Sequence, residues 1–121
     1  MIHEEICTYE VCKLAKEKGF NVQTFGWYDY TGNYHKGFIP HELHERPRYK
    51  EYYAPTQSLL QRWLREEKGI IVIPYYRSVL RMWSATYELT SPCTFEDLRK
   101  CFKTYELALE DALKYALENL I

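Results

Sequence analysis

The residues best suited to chemistry lie in one short stretch, HELHERPRYKEYYAP, at positions 41–55. With two neighbouring glutamates and His35, the histidines His41 and His44 offer the nitrogen and oxygen atoms that zinc or non-haem iron binds. The order HELHE differs from H-E-x-x-H, in which two histidines four positions apart on a helix share a zinc ion. Prolines at positions 40 and 47 also disfavour a regular helix. A metal-dependent hydrolase is therefore only a second alternative, and no metal or other cofactor is predicted.

The same stretch interleaves basic and aromatic side chains. Six of its residues form the predicted binding segment: Arg46, Arg48, Tyr49, Lys50, Tyr52 and Tyr53. Basic groups pair with phosphates while tyrosine rings stack on bases, so this mixture is typical of a single-stranded nucleic-acid site. Three glutamates in the stretch offset the charge, and such binding would be weak. The other interpretation is a loop whose tyrosines pack over a sheet or contact a protein.

Motifs of nucleophilic and nucleotide chemistry are missing from the sequence. It contains no G-x-S-x-G, no P-loop and no G-x-G-x-x-G, and only five glycines in all. The four cysteines, at positions 7, 12, 93 and 101, lack the C-x₂-C spacing of zinc ribbons and redox motifs. We expect them to be reduced, structural thiols. No catalytic residue is predicted, and the chain is interpreted as a binding protein.

Length and charge limit the possible function classes further. The 121 residues are the size of one domain, predicted to span residues 1–121 with an irregular insert at about 40–55. The 16 basic and 17 acidic residues nearly cancel, which argues against a dedicated nucleic-acid or membrane-surface binder. The longest apolar run, residues 70–76, is far shorter than the roughly 20 residues of a membrane helix. The acidic start does not resemble a signal peptide, so we expect a cytoplasmic protein with no membrane partner.

Capping residues indicate where helices begin and end. Thr8, Thr56 and Thr104 are predicted N-caps, because each precedes a stretch with helical periodicity. Gly19 and Gly69 follow lysine-bearing turns in the similar segments LAKEKGFNV and LREEKGIIV. Glycine readily adopts the left-handed conformation that ends a helix, so a strand is expected after each glycine.

Each of these glycines leads into a predicted hairpin. The two hairpins are predicted to use four strands, at residues 22–30, 34–39, 70–76 and 79–89. The turn of the first hairpin is centred on Gly32. The predicted fold is α+β, in the order helix, hairpin, helix, hairpin, helix, with about four antiparallel strands carrying helices mainly on one face. Residues 90–103 are predicted to be irregular, with one helical turn after Thr94.

Three segments carry a resemblance to a protein family: APTQSLLQRWLREEKGIIVIPYY, KLAKEKGF and TYELALEDALKYALENLI. Together they are similar to a family of short, uncharacterised proteins encoded in gut Bacteroidales genomes and in their phages and other mobile elements. The most specific part is the A-P-T-x-x-L-x-x-W-L-R-E run, while residues 31–53 are individual to this chain. The resemblance brings no activity and no catalytic residue. It implies a small accessory factor of phage or mobile-element origin.

The leading functional hypothesis is a small non-catalytic interaction module. Nine aromatic residues lie between positions 25 and 53, and only half the positions of a strand can face a covering helix. We therefore expect some rings of the first hairpin and of residues 41–53 to stay exposed and to contact an unidentified protein partner or a second copy of the chain. Weak nucleic-acid binding by residues 46–53 is the alternative.

Overall fold

The computed structural model of the chain describes residues 2–44 and 50–121. Within these residues there are three long helices, α1 (Tyr9–Glu17), α3 (Gln57–Lys68) and α4 (Tyr105–Asn119), and one short helix, α2 (His41–His44). The strands are β1 (Gly26–Tyr28), β2 (Tyr34–Lys36), β3 (Tyr52–Tyr53), β4 (Ile70–Arg77), β5 (Met82–Thr90) and β6 (Cys93–Asp97). None of the helices in the described residues is long and apolar enough to cross a membrane.

The α+β class is confirmed, but the sheet differs from the one predicted. The described strands form two three-stranded antiparallel sheets, in the orders β2-β1-β3 and β4-β5-β6, where about four strands were expected. Strands β3 and β6 lie in the two stretches predicted to be irregular. The helical turn expected after Thr94 is wrong, because Thr94 pairs with Leu89 in the β5–β6 ladder.

The predicted helix boundaries are confirmed at the atomic level. Each N-cap threonine accepts a hydrogen bond from the backbone N–H three residues later: Thr8 from Val11 at 3.4 Å, Thr56 from Leu59 at 3.2 Å and Thr104 from Leu107 at 3.1 Å. These bonds satisfy N–H groups that have no partner inside the helix. Gly69 ends α3 at φ 66°, and Gly19 follows α1 at φ 100°.

The hydrophobic core lies between the helices and only one face of the second sheet. Leu60 of α3 and Leu113 of α4 are completely buried, and burial of such a side chain stabilises the fold by about 1.5–3 kcal/mol. From the second sheet the core takes Ile70, Val72 and Ala85. The pairing register places these three side chains on the same face, which we call the inner face. The opposite face contributes no residue to this core.

After β6 the chain bulges outward and returns to pair with β5. The Leu98 N–H donates to the Ala85 carbonyl at 3.0 Å, and Trp83 and Phe102 then exchange two backbone hydrogen bonds of 2.7 Å. Between these contacts Arg99 adopts a left-handed conformation with φ 60°. The residues after β6 therefore lie beside the turn that connects β4 and β5.

Candidate interaction surface

Of the six residues in the predicted binding segment, the structure describes Lys50, Tyr52 and Tyr53. Arg46, Arg48 and Tyr49 lie outside the described residues. Lys50 is exposed, and Tyr53 is half-buried against the core.

Tyr52 is a core residue. Its side chain is only 6% exposed, and its ring packs edge-to-face on Tyr9 with the ring centres 5.6 Å apart. Lys16 places its Nζ 5.2 Å from the centre of the Tyr52 ring and donates a 2.9 Å hydrogen bond to the Glu51 carbonyl. Burial raises the pKa of the Tyr52 hydroxyl. Since the Tyr52 side chain is buried, its ring cannot stack on a nucleic-acid base in this conformation.

In the first hairpin, His35 is held by neighbouring side chains. Its Nε2 lies 2.8 Å from Oδ2 of Asp29, and its ring stacks on buried Trp27 with the centres 4.3 Å apart. The other carboxylate oxygen of Asp29 accepts the backbone N–H groups of Thr31 at 2.9 Å and Asn33 at 3.0 Å. The hydrogen bonds from His35 and Thr31 hold the pKa of Asp29 well below its usual range. His35 and Asp29 therefore stabilise the turn.

The residues of the metal hypothesis do not converge within the described chain. No group of three histidine, cysteine, aspartate or glutamate side chains there is placed to hold a metal ion. His35 contacts Asp29, and His41 is an exposed residue of α2. The side chain of His44 lies outside the description.

The four thiols are free and have different environments. Cys7 and Cys12 are buried in the core, and burial raises the pKa of both well above the ordinary thiol value. Cys93 is exposed. Cys101 is half-buried, with its Sγ 3.6 Å from the Ser84 Oγ and 3.8 Å from a guanidinium nitrogen of Arg77.

Several aromatic rings of the first hairpin are exposed, as expected. They are Phe25, Tyr30, Tyr34 and Phe38. Phe25 and Phe38 pack edge-to-face on each other with their centres 5.3 Å apart, and Tyr34 lies directly over Gly26. Phe25 and Phe38 therefore shield part of each other from water.

The second sheet has a more extensive uncovered surface, which we call the outer face. The register assigns twelve residues to it: Ile71, Ile73, Tyr75, Arg77, Met82, Ser84, Thr86, Glu88, Thr90, Cys93, Phe95 and Asp97. Ile73 is 44% exposed and Phe95 is 61% exposed. Since the described helices pack on the inner face, the apolar side chains of the outer face are open to a partner.

The middle of the outer face consists of short side chains and is crossed by a hydrogen bond. Ser84 and Thr86 of the central strand are short side chains, and both are buried by their neighbours. Across them, the Tyr75 hydroxyl donates a hydrogen bond to the Asp97 carboxylate. This bond, with a second from the Arg99 backbone N–H, lowers the pKa of Asp97. The side chains of Tyr75 from β4 and Asp97 from β6 thus meet above β5.

The two ends of the outer face carry opposite charges. Arg77 lies at the end next to the β4–β5 turn, paired with Met82, and Glu88 lies near the other end, paired with Ile71 and followed by the Thr90–Cys93 pair. At about 3.4 Å per residue these two positions are roughly 20 Å apart. Neither Arg77 nor Glu88 forms an ion pair with another residue that the structure describes.

No family model, no curated protein and no solved structure matches this chain. Its function is therefore inferred from the surfaces described above.

Proposed function

We propose that the protein is a small non-catalytic interaction module that associates with a second copy of itself through the outer face. The observation that carries this proposal is the exposure of Ile73 and Phe95 on a sheet whose opposite face alone enters the core. Contiguous apolar surface on a sheet stays in contact with water unless another molecule covers it. A covering partner is therefore favoured.

The charges of the outer face support a second copy as that partner. A two-fold axis in the plane of the interface, perpendicular to the strands, would lay the strands of the two copies antiparallel. Arg77 of each copy would then lie above the end that carries Glu88 of the other, giving two symmetric pairs of opposite charge. Two sheets stacked in this way lie about 10 Å apart, within reach of arginine and glutamate side chains.

Pairing through the free edge of β4 is less favourable. The Thr90 N–H donates to the Gly69 carbonyl at 3.0 Å, so the backbone groups of even-numbered β4 residues point away from β5. Among these residues, the Val72 carbonyl already accepts a 2.6 Å hydrogen bond from the Gln61 amide, and Pro74 has no N–H to donate. Both features are ways of protecting an edge strand. The outer face is thus the better docking surface.

The size of the outer face predicts weak association. Five residue rows on three strands cover roughly 30 Å by 14 Å, or about 400 Å², at ordinary strand spacings. Specific interfaces usually bury about 800 Å² on each partner, so this surface is only about half of the usual size. We expect a dissociation constant between about 10 µM and 1 mM, which suits a transient module.

Sedimentation equilibrium between about 10 µM and 1 mM protein tests the proposal. We expect the average mass to rise from monomer toward dimer as concentration increases. Ile73→Asp places a charge at the centre of the outer face and is expected to keep the chain monomeric. Val79→Asp is the matched control, because Val79 is 93% exposed in the β4–β5 turn and lies outside the outer face.

A charge exchange tests the orientation of the two copies. Arg77→Glu and Glu88→Arg each place like charges opposite one another in a homodimer, so each variant alone is expected to associate more weakly. In an equimolar mixture both pairs become opposite in charge again, and association is expected to recover. Monomeric behaviour at every concentration would refute self-association. If the two variants associated no more strongly in the mixture than each does alone, the antiparallel arrangement would be refuted.

The proposed role agrees with the accessory character implied by the resemblance to proteins of phages and mobile elements. The antiparallel pair proposed here needs no catalytic group.

A further inference from the structure

We propose that the end of the second sheet next to the β4–β5 turn binds single-stranded nucleic acid. We call this region the basic end; it comprises residues 76–83 and 98–105. Five basic residues lie in it, Arg77, Arg81, Arg99, Lys100 and Lys103, and neither segment contains an acidic residue. The basic end shares Arg77 with the outer face, but it does not include residues 46–53, Ile73 or Phe95.

Backbone pairing brings the two basic segments together. Trp83 and Phe102 exchange hydrogen bonds of 2.7 Å in both directions, so residues 99–103 lie directly beside the start of β5. A guanidinium nitrogen of Arg77 lies 3.8 Å from the Sγ of Cys101, which joins the two segments a second time. The chain has a formal net charge of −1, so attraction of a polyanion has to come from a local cluster such as this one.

Three aromatic rings lie on the inner-face side of the basic end, at the start of α4, whose first residue is Tyr105. Trp83 is central: its ring centre is 5.2 Å from that of Tyr76 and 5.3 Å from that of Tyr105. Tyr76 is 50% exposed and Tyr105 is 38% exposed. Tyr76 adjoins Arg77 in the sequence, and Trp83 and Tyr105 each lie two positions after a basic residue. Exposed rings near cations form the stacking surface that single-stranded binding proteins use, because every base has a π-face. A duplex keeps those base faces stacked inside, which favours single strands as the ligand.

Charge pairing within the protein sets how strong the binding is. Lys100 lies 3.6 Å from Asp111, and the positive charges of Arg77 and Arg99 both act on Asp97. Arg81, Arg99 and Lys103 are exposed and form no ion pair with a described residue. Three phosphate contacts give a slope of log K against log salt of about −2 for a single strand. Affinity is then expected to fall roughly 20-fold between 50 and 200 mM salt.

Fluorescence anisotropy with labelled dT12 and U12 oligonucleotides tests the proposal. Arg81→Gln combined with Lys103→Gln is expected to weaken binding at 50 mM salt about tenfold or more and to reduce the slope by about 1.4. Lys13→Gln combined with Arg65→Gln is the matched control, because it removes the same charge from exposed positions of α1 and α3. If both double variants lost the same amount of oligonucleotide affinity, the loss would be due to the change in net charge alone, and the proposed site would be overturned.

The contribution of the aromatic rings to nucleic-acid binding is measured separately. Trp27 and Trp63 are buried, so quenching of tryptophan fluorescence by dT12 is expected to come from Trp83 and to disappear in Trp83→Phe. Tyr76→Ser is expected to weaken binding about fivefold or more with little change in the salt slope. Tighter binding of a matched 12-base-pair duplex, or no binding at 20 mM salt, would overturn the proposal. Binding unchanged by Ile73→Asp would show that it is independent of self-association.

Discussion

Glu110 of α4 accepts two hydrogen bonds from Thr8, 102 residues earlier in the chain. The Thr8 backbone N–H donates at 2.9 Å and its hydroxyl at 2.8 Å, both to the same carboxylate oxygen. The second oxygen accepts the Gln57 amide at 2.8 Å. One carboxylate therefore holds the beginnings of α1 and α3 against the middle of α4. Its negative charge also lies at the N-terminus of α1, where the helix dipole favours it.

Removal of this carboxylate is expected to destabilise the whole domain. Glu110→Ala loses three hydrogen bonds, and bonds to a charged acceptor contribute about 1.5–3 kcal/mol each when buried. Because Glu110 is partly exposed to water, we expect a total loss of about 2 kcal/mol in the free energy of unfolding. Urea denaturation measures the loss, and Glu118→Ala, an exposed site on the same helix, is the control. Equal stability of the two variants would contradict the role of Glu110.

The pKa of Asp29 predicts an acid dependence of stability. A carboxylate with a lowered folded-state pKa stabilises the fold fully above its unfolded-state value, which is 3.8. The stabilisation is lost as the pH falls below that value. Asp29→Asn keeps an oxygen acceptor for Thr31 but removes the charge. We expect the wild type to exceed this variant by about 1 kcal/mol or less above pH 5, since the pair is solvent-screened.

Chemical denaturation of both proteins between pH 2 and pH 7 measures this difference. The two stabilities are expected to converge below about pH 4. A gap that stays constant down to pH 2 would mean that the ionised carboxylate contributes nothing to folding.

The burial of the cysteines predicts their reactivity. Only a thiolate reacts rapidly with a disulfide reagent, and Cys7 and Cys12 are buried with raised pKa values. We expect Cys93 to react fast, Cys101 more slowly, and Cys7 and Cys12 only after unfolding. Thiol titration in native buffer and in denaturant measures these phases. Cys93→Ser is expected to remove the fast phase, and its persistence would refute the assignment.

Gly69 is expected to resist substitution for two separate reasons. Its φ of 66° strains any other residue, and an added Cβ would lie 2.4 Å from the Thr90 Oγ. Gly69→Ala is expected to lower the free energy of unfolding by about 1–2 kcal/mol. In a Thr90→Ala background the contact is relieved and only the backbone strain of about 1 kcal/mol is expected to remain. Thermal or urea unfolding measures both steps, and an equal loss in the two backgrounds would exclude the contact with Thr90.

Helix ends were predictable from sequence because their chemistry is local. A threonine that caps a helix bonds to an N–H only three residues away, as Thr8, Thr56 and Thr104 do. A glycine such as Gly69 ends a helix through its own backbone freedom. Neither feature depends on the rest of the fold.

The short strands were not predictable in the same way. Strand β3 has two residues, and these pair with Trp27 and Tyr28, about 25 positions earlier. Strand β6 has few apolar side chains and therefore lacks a clear apolar/polar alternation. One of its faces meets solvent, and the other is only partly covered. The sequence predicts a surface site for Tyr52, because exposure and burial of a tyrosine side chain have similar free-energy costs. Only the tertiary contacts with Tyr9 decide its position.

The hydrogen bond from Gln61 to Val72 and the proline at position 74 have a consequence for assembly. Growth of β-rich fibres needs an edge on which each incoming chain finds a ladder of available donors and acceptors. Along β4 that ladder is interrupted at two successive outward positions. We therefore expect concentrated solutions of this protein to contain small oligomers. We do not expect the β-rich fibres that an unprotected eight-residue edge strand would nucleate.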